Sequence, residues 1–559
     1  MRRTRWAALL CLWTVPGAAG CGGADREVEH ALEARLASDK PPPFLRGVRW
    51  SLVRQVYQDR EHRPVWVRGA HLDGRARALV RALCEAGGEG LRPADYDLSG
   101  LRDALGWRKQ GDEKRHATDR ADLDLRLTAL LLGLGTDLLS GRLDPRTVDD
   151  GWYLRTRRAS ADSTLRAAFL KDDSADLLES LRPRQKEYEE LLDALDDLRK
   201  IAADGWPTVP PGKPLARGDR GPRVAALRER LWRSGDLEGR KDADPVFDHA
   251  VAEAVARFNA RHGLPPDSTV GPASLSALNV PVQRRILQVE LNLDRLRWLP
   301  ADFEKRYVLV NIPDYHLYAY DGGRIRFEQR VIVGDEYRSA TPVFADSMTY
   351  LVFHPEWNVP SSILVNEMLP RLREGKYDLA AHGLELLDTV GNSVVHDPSG
   401  IDWDDVDSTA LPYRLRQKPG PRNALGRMKF MFPNRFNIYL HDTPDRELFD
   451  RRQRTLSHGC VRVEDPRQLA VFVLDGQQGW GERRVSEVLE DSVEAGSETV
   501  KLERPVPVYL LYLTAFVRDG ELHFRNDPYG KDRRALGRLG KPTLEEPAVC
   551  AELERLIGD

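Results

Sequence analysis

The sequence predicts an α+β protein of several domains, in which helical segments precede a β-rich part. Two changes of pattern support this. A helical period runs from about Glu27 to Gly205 and gives way to a proline-rich linker over residues 207–214, and from Tyr307 the apolar period changes to two, which is typical of strands. The length of 559 residues agrees with about three domains.

The N-terminus has the pattern of an export signal. Residues 1–5 are basic, and the apolar run of residues 6–15 is too short to span a bilayer. The run ends in Ala18-Ala19-Gly20-Cys21, which is similar to a bacterial lipoprotein cleavage box. Residues 1–21 are therefore predicted to be a lipoprotein-type signal with Cys21 as the lipidation site, and ordinary secretory cleavage is the alternative.

The first long segment, about residues 27–205, reads as an all-helical domain without a catalytic constellation. Its apolar residues share one helical face, as in Tyr188, Leu191, Leu192, Leu195 and Leu198. The leucine-rich run from Leu127 to Leu139 is short and is bounded by Arg126 and Arg142, which predicts a buried core helix rather than a membrane span.

Residues 215–278 predict a compact three-helix module after the linker. Helices are indicated at residues 221–227, from Phe247 onwards, and at residues 270–278. The apolar positions of these helices are interpreted as core: Val224, Leu227, Phe258 and Leu264. Such core residues do not report on ligand contact, so the alternative of a spacer that has lost binding stays open.

A β-rich domain is predicted over residues 305–485. Residues 307–312, 317–320 and 326–333 are strand-like, and Asp321-Gly322-Gly323 is typical of a turn. An irregular, charged insertion at about residues 366–416 has the character of a lid. The tail over residues 500–559 contains further strand-like runs.

The charge balance argues against a nucleic-acid partner. The chain has 84 basic and 87 acidic residues and a formal net charge of −3, whereas nucleic-acid binding needs a basic surface. The many charges are interpreted as a solvated exterior.

A cysteine motif indicates the chemistry. Ser457-His458-Gly459-Cys460-Val461-Arg462 follows His441, which ends a strand-like run over residues 436–440. A thiol needs a base or a local dipole to become a nucleophilic thiolate, and the glycine before it permits a sharp turn. The alternative is a buried structural cysteine beside unrelated histidines.

This constellation resembles the L,D-transpeptidase family, the cysteine enzymes that cross-link peptidoglycan. Flanking stretches agree as well: residues 308–313, 357–360 and 417–426. The resemblance is to the large Gram-negative branch. It implies a helical scaffold domain, a three-helix peptidoglycan-binding module, and a β-rich catalytic domain with a capping insertion, with the C-terminal segment joining the scaffold.

The predicted roles centre on Cys460 as nucleophile and His441 as general base and acid. The Asp442 side chain is poorly placed to orient His441, because neighbouring strand side chains point to opposite faces. The resemblance implies a backbone carbonyl for that role, supplied by Asp442 or His458. The N–H groups of Gly459 and Cys460 are candidates for an oxyanion hole.

Four further residues are candidates for substrate binding. Arg462 shares a strand face with Cys460 and suits a substrate carboxylate, with a structural salt bridge as an equal alternative. Tyr439 shares a face with His441. Trp357 and Asn358 belong to the stretches that carry the resemblance.

Neither a metal nor a cofactor is predicted. His441, His458 and Cys460 can be drawn as zinc ligands, but the chain has no paired histidines at helical spacing and no Cys-x-x-Cys motif in this region.

The resemblance implies a third-to-third cross-link formed through a cysteine thioester, with release of terminal D-alanine. The alternatives are an L,D-carboxypeptidase and a non-catalytic wall-tethering lipoprotein. The partners implied are peptidoglycan stems and glycan, and a membrane through the lipid, so that the protein resides in the periplasmic cell envelope.

Cys84 and Cys550 remain after the signal and catalytic cysteines are assigned. Disulfides persist in exported proteins, and the resemblance places the N- and C-terminal segments together. Two independent buried thiols are nevertheless the preferred expectation.

Overall fold

The computed structural model describes residues 22–45, 49–68, 71–106, 117–157, 161–170, 175–239, 245–336, 339–390, 393–490, 496–540 and 546–558. Cys21, the predicted lipidation site, lies outside this part of the chain. Across the described ranges, no helix combines the length and the apolar character that a bilayer crossing requires.

The N-terminal part is a helical domain built around one long buried helix. Its elements are α1 (Gly22–Leu36), α2 (Trp50–Gln58), β1 (Val67–Arg68), β2 (His71–Leu72), α3 (Gly74–Cys84), α4 (Leu98–Leu105), α5 (Ala117–Ser140), α6 (Pro145–Val148), α7 (Ala161–Leu170), α8 (Ala175–Leu181) and α9 (Lys186–Asp204). The leucine-rich run lies in α5 and is largely buried. In this core the Asp124 carboxylate accepts hydrogen bonds from the Tyr57 hydroxyl and from the N–H groups of Val65, Trp66 and Val67, which ties α5 to β1.

Three helices follow the linker, as predicted. They are α10 (Pro222–Arg233), α11 (His249–Arg261) and α12 (Pro272–Leu278). Val224, Leu227 and Phe258 are fully buried and form a separate small core. The Asp248 side chain accepts a hydrogen bond from Val251 N–H and caps the start of α11.

A single buried helix, α13 (Val282–Trp298), joins the module to the rest of the molecule. Its Asp294 pairs with Arg142 of the helical domain at 3.0 Å. Its Arg295 pairs with Asp532 near the C-terminus at 2.6 Å. Because Asp532 is buried, breaking its pair with Arg295 would leave an uncompensated charge in the interior, whereas Asp294 is also paired with Arg297 at 2.7 Å.

The β-rich part contains one large sheet and one small sheet. The strands are β3 (Arg306–Asn311), β4 (His316–Asp321), β5 (Arg324–Gly334), β6 (Phe344–Phe353), β7 (Trp357–Asn358), β8 (Leu384–Asp388), β9 (Tyr413–Gln417), β10 (Met428–Met431), β11 (Leu440–His441), β12 (Thr455–Ser457), β13 (Val461–Val463) and β14 (Glu498–Leu511). In the described chain the large sheet has the order β12-β5-β13-β11-β10-β6-β14-β3-β4, and β4 also pairs with β5. The sheet therefore closes on itself like a barrel.

Strand β14 lies inside the large sheet, beyond the predicted domain end at residue 485. It runs parallel to β3 and antiparallel to β6. The chain between β3 and β14 includes β4 to β13 and then α16 (Pro466–Leu474) and α17 (Glu482–Glu490), so strand periodicity alone does not reveal the pairing. The sheet is incomplete without residues 498–511.

The predicted insertion forms a subdomain of its own, which we call the cap (residues 357–417). Strands β7, β9 and β8 form its antiparallel sheet, and the pairing of Trp357 with Gln417 closes its base. Before β8 the cap contains three consecutive helical pieces: α14 (Ser361–Ile363), a π-helical turn (Leu364–Met368) and α15 (Leu369–Arg373). Its apolar residues form a core separate from that of the barrel: Val359, Leu364, Met368, Leu372, Leu379, Leu384, Leu386 and Leu415.

The chain ends in the hairpin β15 (Ala515–Arg518) and β16 (Glu521–Phe524), then α18 (Lys531–Leu539) and α19 (Glu546–Gly558). Leu553 and Ile557 of α19 are buried in the core of the N-terminal helical domain. Cys84 and Cys550 are joined in a disulfide with a Cα–Cα distance of 5.7 Å. The expectation of two independent thiols is therefore wrong, because α19 packs beside α3.

Alkylation of the unfolded protein without reduction, followed by peptide mass mapping, should modify Cys460 and recover Cys84 and Cys550 as one linked pair. Replacing Cys550 with serine should lower the free energy of unfolding by about 2–5 kcal/mol, because the cross-link restricts the unfolded chain. Full alkylation of Cys84 in the unreduced protein would contradict the pairing.

Candidate active site

Two short neighbouring strands bring the predicted catalytic residues together. Strand β11 runs parallel to β13, with Leu440 opposite Val461 and His441 opposite Arg462. The N–H of Val461 also donates to the carbonyl of Tyr439 at 3.1 Å. Cys460, immediately before β13, therefore lies beside the start of β11, at a strand spacing of about 4.8 Å.

The turn that presents Cys460 requires glycine at residue 459. Gly459 has a φ of +109°, and a Cβ there would lie 3.2 Å from Cδ1 of Ile438. Ser457 closes the turn, because its hydroxyl donates to the Cys460 carbonyl and accepts from the N–H of Gly459 at 3.2 Å. The Gly459 N–H is thus engaged within the turn at rest. The oxyanion role of the Gly459 and Cys460 N–H groups stays a prediction.

His441 is held in a defined orientation. Its Nδ1 lies 2.6 Å from the carbonyl oxygen of Asp442. A carbonyl only accepts, so Nδ1 carries the proton and Nε2 is left as a proton acceptor. Burial, and then the positive charge of Arg462, lower the pKa of His441 to about 3, so the imidazole is neutral at neutral pH.

The side chains of Asp442 and His458 are engaged elsewhere. The Asp442 carboxylate accepts from Arg427 N–H at 2.8 Å and from Arg446 at 3.3 Å. His458 is part-exposed, and its Nε2 lies 2.6 Å from Oε1 of Glu367 in the cap. The backbone carbonyl of Asp442, rather than His458, contacts the imidazole.

The Cys460 thiol is half-buried, with Sγ at 3.6 Å from the carbonyl oxygen of Asn437. Burial raises the pKa of the thiol above its ordinary value. The backbone N–H and hydroxyl of Tyr439 and the charges of Lys429 and Arg462 oppose that rise. At neutral pH the resting site therefore contains a neutral thiol beside a neutral imidazole.

Seven of the predicted site residues line one groove of about 1310 Å³ between the barrel and the cap. They are Cys460, His441, Tyr439, His458, Arg462, Trp357 and Asn358. Gly459 and Asp442 do not line it. Arg462 donates to Asp445 at 3.0 Å, so a substrate carboxylate would compete with an existing salt bridge.

Lys429 also lines the groove and was not predicted as a site residue. It lies in β10 directly opposite His441 of β11, and its ammonium is 4.1 Å from the centroid of the Tyr439 ring. A lysine within an alternating strand is usually solvent-facing, so the sequence pattern does not distinguish it. The register between β10 and β11 is the signal that identifies it.

The rate at which iodoacetamide alkylates Cys460 should rise about tenfold per pH unit through neutrality and beyond pH 8.5, because the thiol is neutral at rest and its pKa is raised. Peptide mass mapping would locate the label. A rate that is already constant from pH 5 to pH 8 would contradict a neutral pair and indicate a preformed thiolate–imidazolium pair.

Comparison with known proteins agrees with this geometry. Three family models match the chain: "Scaffold domain" over residues 51–195, "Putative peptidoglycan binding domain" over residues 220–278, and "L,D-transpeptidase catalytic domain" over residues 305–486. A Haemophilus influenzae protein described as "Putative L,D-transpeptidase" is 40% identical over 247 residues. That match covers 44% of this chain, and the chain spans about half (48%) of the relative's length.

Two solved L,D-transpeptidase structures also match. The one from Xylanimonas cellulosilytica is 16% identical with a TM-score of 0.16, and covers 54% of this chain and 99% of that one. The one from Stackebrandtia nassauensis is 15% identical with a TM-score of 0.21, and covers 56% and 99%. Scores this low add nothing to the assignment, which depends on the family models and on the curated relative. By those matches residues 305–486 are an L,D-transpeptidase catalytic domain, which follows a scaffold domain and a peptidoglycan-binding domain in the same chain.

Proposed function

We propose that this protein cross-links peptidoglycan stem peptides through a thioester on Cys460. The observation that carries the proposal is the pairing of β11 with β13, which brings Cys460 and His441 into one groove while Nε2 of His441 remains a proton acceptor. The groove between barrel and cap is large enough for a peptide, since ligand sites commonly measure about 300–1,000 Å³.

In the first step, His441 Nε2 takes the proton of Cys460 Sγ, and the thiolate attacks the carbonyl carbon of the third stem residue. The oxyanion that forms faces the N–H of Cys460. When the intermediate collapses, the bond to the terminal D-alanine breaks, and His441 returns the proton to the leaving amine. The products of this half-reaction are free D-alanine and a thioester.

In the second step, an amine of another stem attacks the thioester. His441 accepts a proton from that amine, and the thiol leaves with a proton, so that a third-to-third cross-link forms and the enzyme is regenerated. Water in place of the amine would make the same site an L,D-carboxypeptidase. The identity of the attacking group decides between the two reactions.

We further propose that the protein acts in the cell envelope. The match to a peptidoglycan-binding family over residues 220–278 supports a partner outside the cytoplasm. The Cys84–Cys550 disulfide supports an oxidising compartment. A lipid on Cys21 would hold the protein at a membrane.

Purified protein incubated with defined tetrapeptide stems should yield a linked dimer that has lost one alanine, detected by mass. The Cys460→Ala variant should yield none, because no acyl-enzyme forms. A tripeptide product without dimer would establish the carboxypeptidase instead. Absence of both products with the wild-type protein, under conditions in which it binds peptidoglycan, would favour a tethering role and contradict catalysis.

Replacing residues 366–416 with a short linker should leave the barrel folded, because the cap core is separate from the barrel core. Turnover of stem peptides should fall at least tenfold, because Glu367 and Tyr377 no longer line the groove. The matched control is Val390→Ser, which alters a 94% exposed cap residue outside the groove. Unchanged turnover of stem peptides by the deletion variant would show that the cap has no role in catalysis.

A further inference from the structure

Lys429 lies in the row of side chains that faces the groove. It is directly opposite His441 across the β10–β11 pair, and His441 is directly opposite Arg462 across the β11–β13 pair. Residues directly opposite on neighbouring strands point to the same face, as do residues two apart on one strand. Lys429, Tyr439, His441 and Cys460 therefore share one face of the barrel.

Lys429 differs from Arg462 and His458, which also line the groove, by its lack of a counter-ion. Arg462 is paired with Asp445, and His458 is bonded to Glu367. Within the described ranges, no carboxylate lies within ion-pair distance of the Lys429 ammonium, whose close contact is the Tyr439 ring at 4.1 Å. A half-buried ammonium without a carboxylate loses hydration that the ring face restores only in part.

The negative charge that could pair with the Lys429 ammonium develops on Cys460 when its thiol loses a proton. Burial lowers the pKa of Lys429, and a negative charge on Cys460 raises it again. The reciprocal effect is that the Lys429 charge lowers the pKa of Cys460. Tyr439 lies between the two groups, because its ring contacts the ammonium and its hydroxyl faces the thiol.

We propose that Lys429 is the electrostatic partner of the Cys460 thiolate, and that it stabilises the charge formed when His441 takes the thiol proton. This inference uses the nucleophile of the proposed function but not its substrate. One S–H bond breaks and one N–H bond forms on His441 Nε2, while Lys429 keeps its proton throughout. Lys429 therefore acts on the substrate only through Cys460, by stabilising the charge of the thiolate, and it exchanges no atom with the substrate.

The other groups that face the thiol do not replace Lys429. Tyr439, just before β11, and His441 in β11 are neutral at rest, and Arg462 from β13 is compensated by Asp445. On the cap side, His458 and Glu367 are bonded to each other. Among these groups, Lys429 thus supplies a positive charge that no carboxylate compensates.

The test is the pH profile of Cys460 alkylation by iodoacetamide in the full chain, with the label located by peptide mass mapping. Lys429→Met should slow alkylation about tenfold at pH 7, since one pKa unit changes the thiolate fraction tenfold below the pKa. Lys429→Arg should stay within about threefold of wild type, because the charge is kept. The matched control is Lys418→Met, which removes an exposed lysine paired with Glu385 outside the groove and should change nothing.

A second reagent keeps the test decisive if Lys429→Met folds poorly. Anionic iodoacetate should react faster relative to iodoacetamide in wild type than in Lys429→Gln, with thermal unfolding used to confirm folding. An unchanged profile and an unchanged reagent ratio in the folded variants would overturn the proposal. So would a rise in KM for stem peptides without any change in the thiol profile. The two alkylation readouts need no turnover, so they remain valid if the transpeptidase assignment fails.

Discussion

The parallel pairing of β11 with β13 is the constraint on which the candidate site depends. It holds His441 opposite Arg462 and sets Cys460 beside Tyr439. Both strands are short, two and three residues, so their neighbours β10 and β5 in the closed sheet must hold them in register. A slip of one residue would turn His441 away from the groove, because successive side chains on a strand point to opposite faces.

Remote parts of the chain stabilise that sheet. Strand β14 lies between β6 and β3, although it follows the catalytic motif by about forty residues in sequence. Helix α13 pairs with the helical domain through Asp294 and with the C-terminal segment through Arg295. The Cys84–Cys550 disulfide then fastens α19 to the helical domain. The domains are joined by buried charges and a covalent bond, so the groove is held by more of the chain than the catalytic family model covers.

The predictable parts of the structure are those that local chemistry determines. The Ser-His-Gly-Cys motif, the strands from Tyr307 and the three-helix module follow from spacing, and the fold class and the resemblance to these domain families are confirmed. The parallel position of β14, the disulfide and the role of Lys429 depend on contacts between distant segments, which periodicity does not report. Gly459 is instructive, because the motif indicates the turn but does not show that Ser457 takes its N–H.

Acylation by a carbapenem, which the proposed mechanism expects at the thiol of Cys460, tests most directly whether Cys460 and His441 act as one unit. The rate of adduct formation would be followed by intact mass, and the site located by peptide mapping. The account predicts one adduct, on Cys460. His441→Ala should lower the rate of adduct formation at least a hundredfold, as is typical of removing a general base. His458→Ala should lower that rate much less. An adduct on Cys460→Ala, or a larger loss in His458→Ala than in His441→Ala, would contradict it.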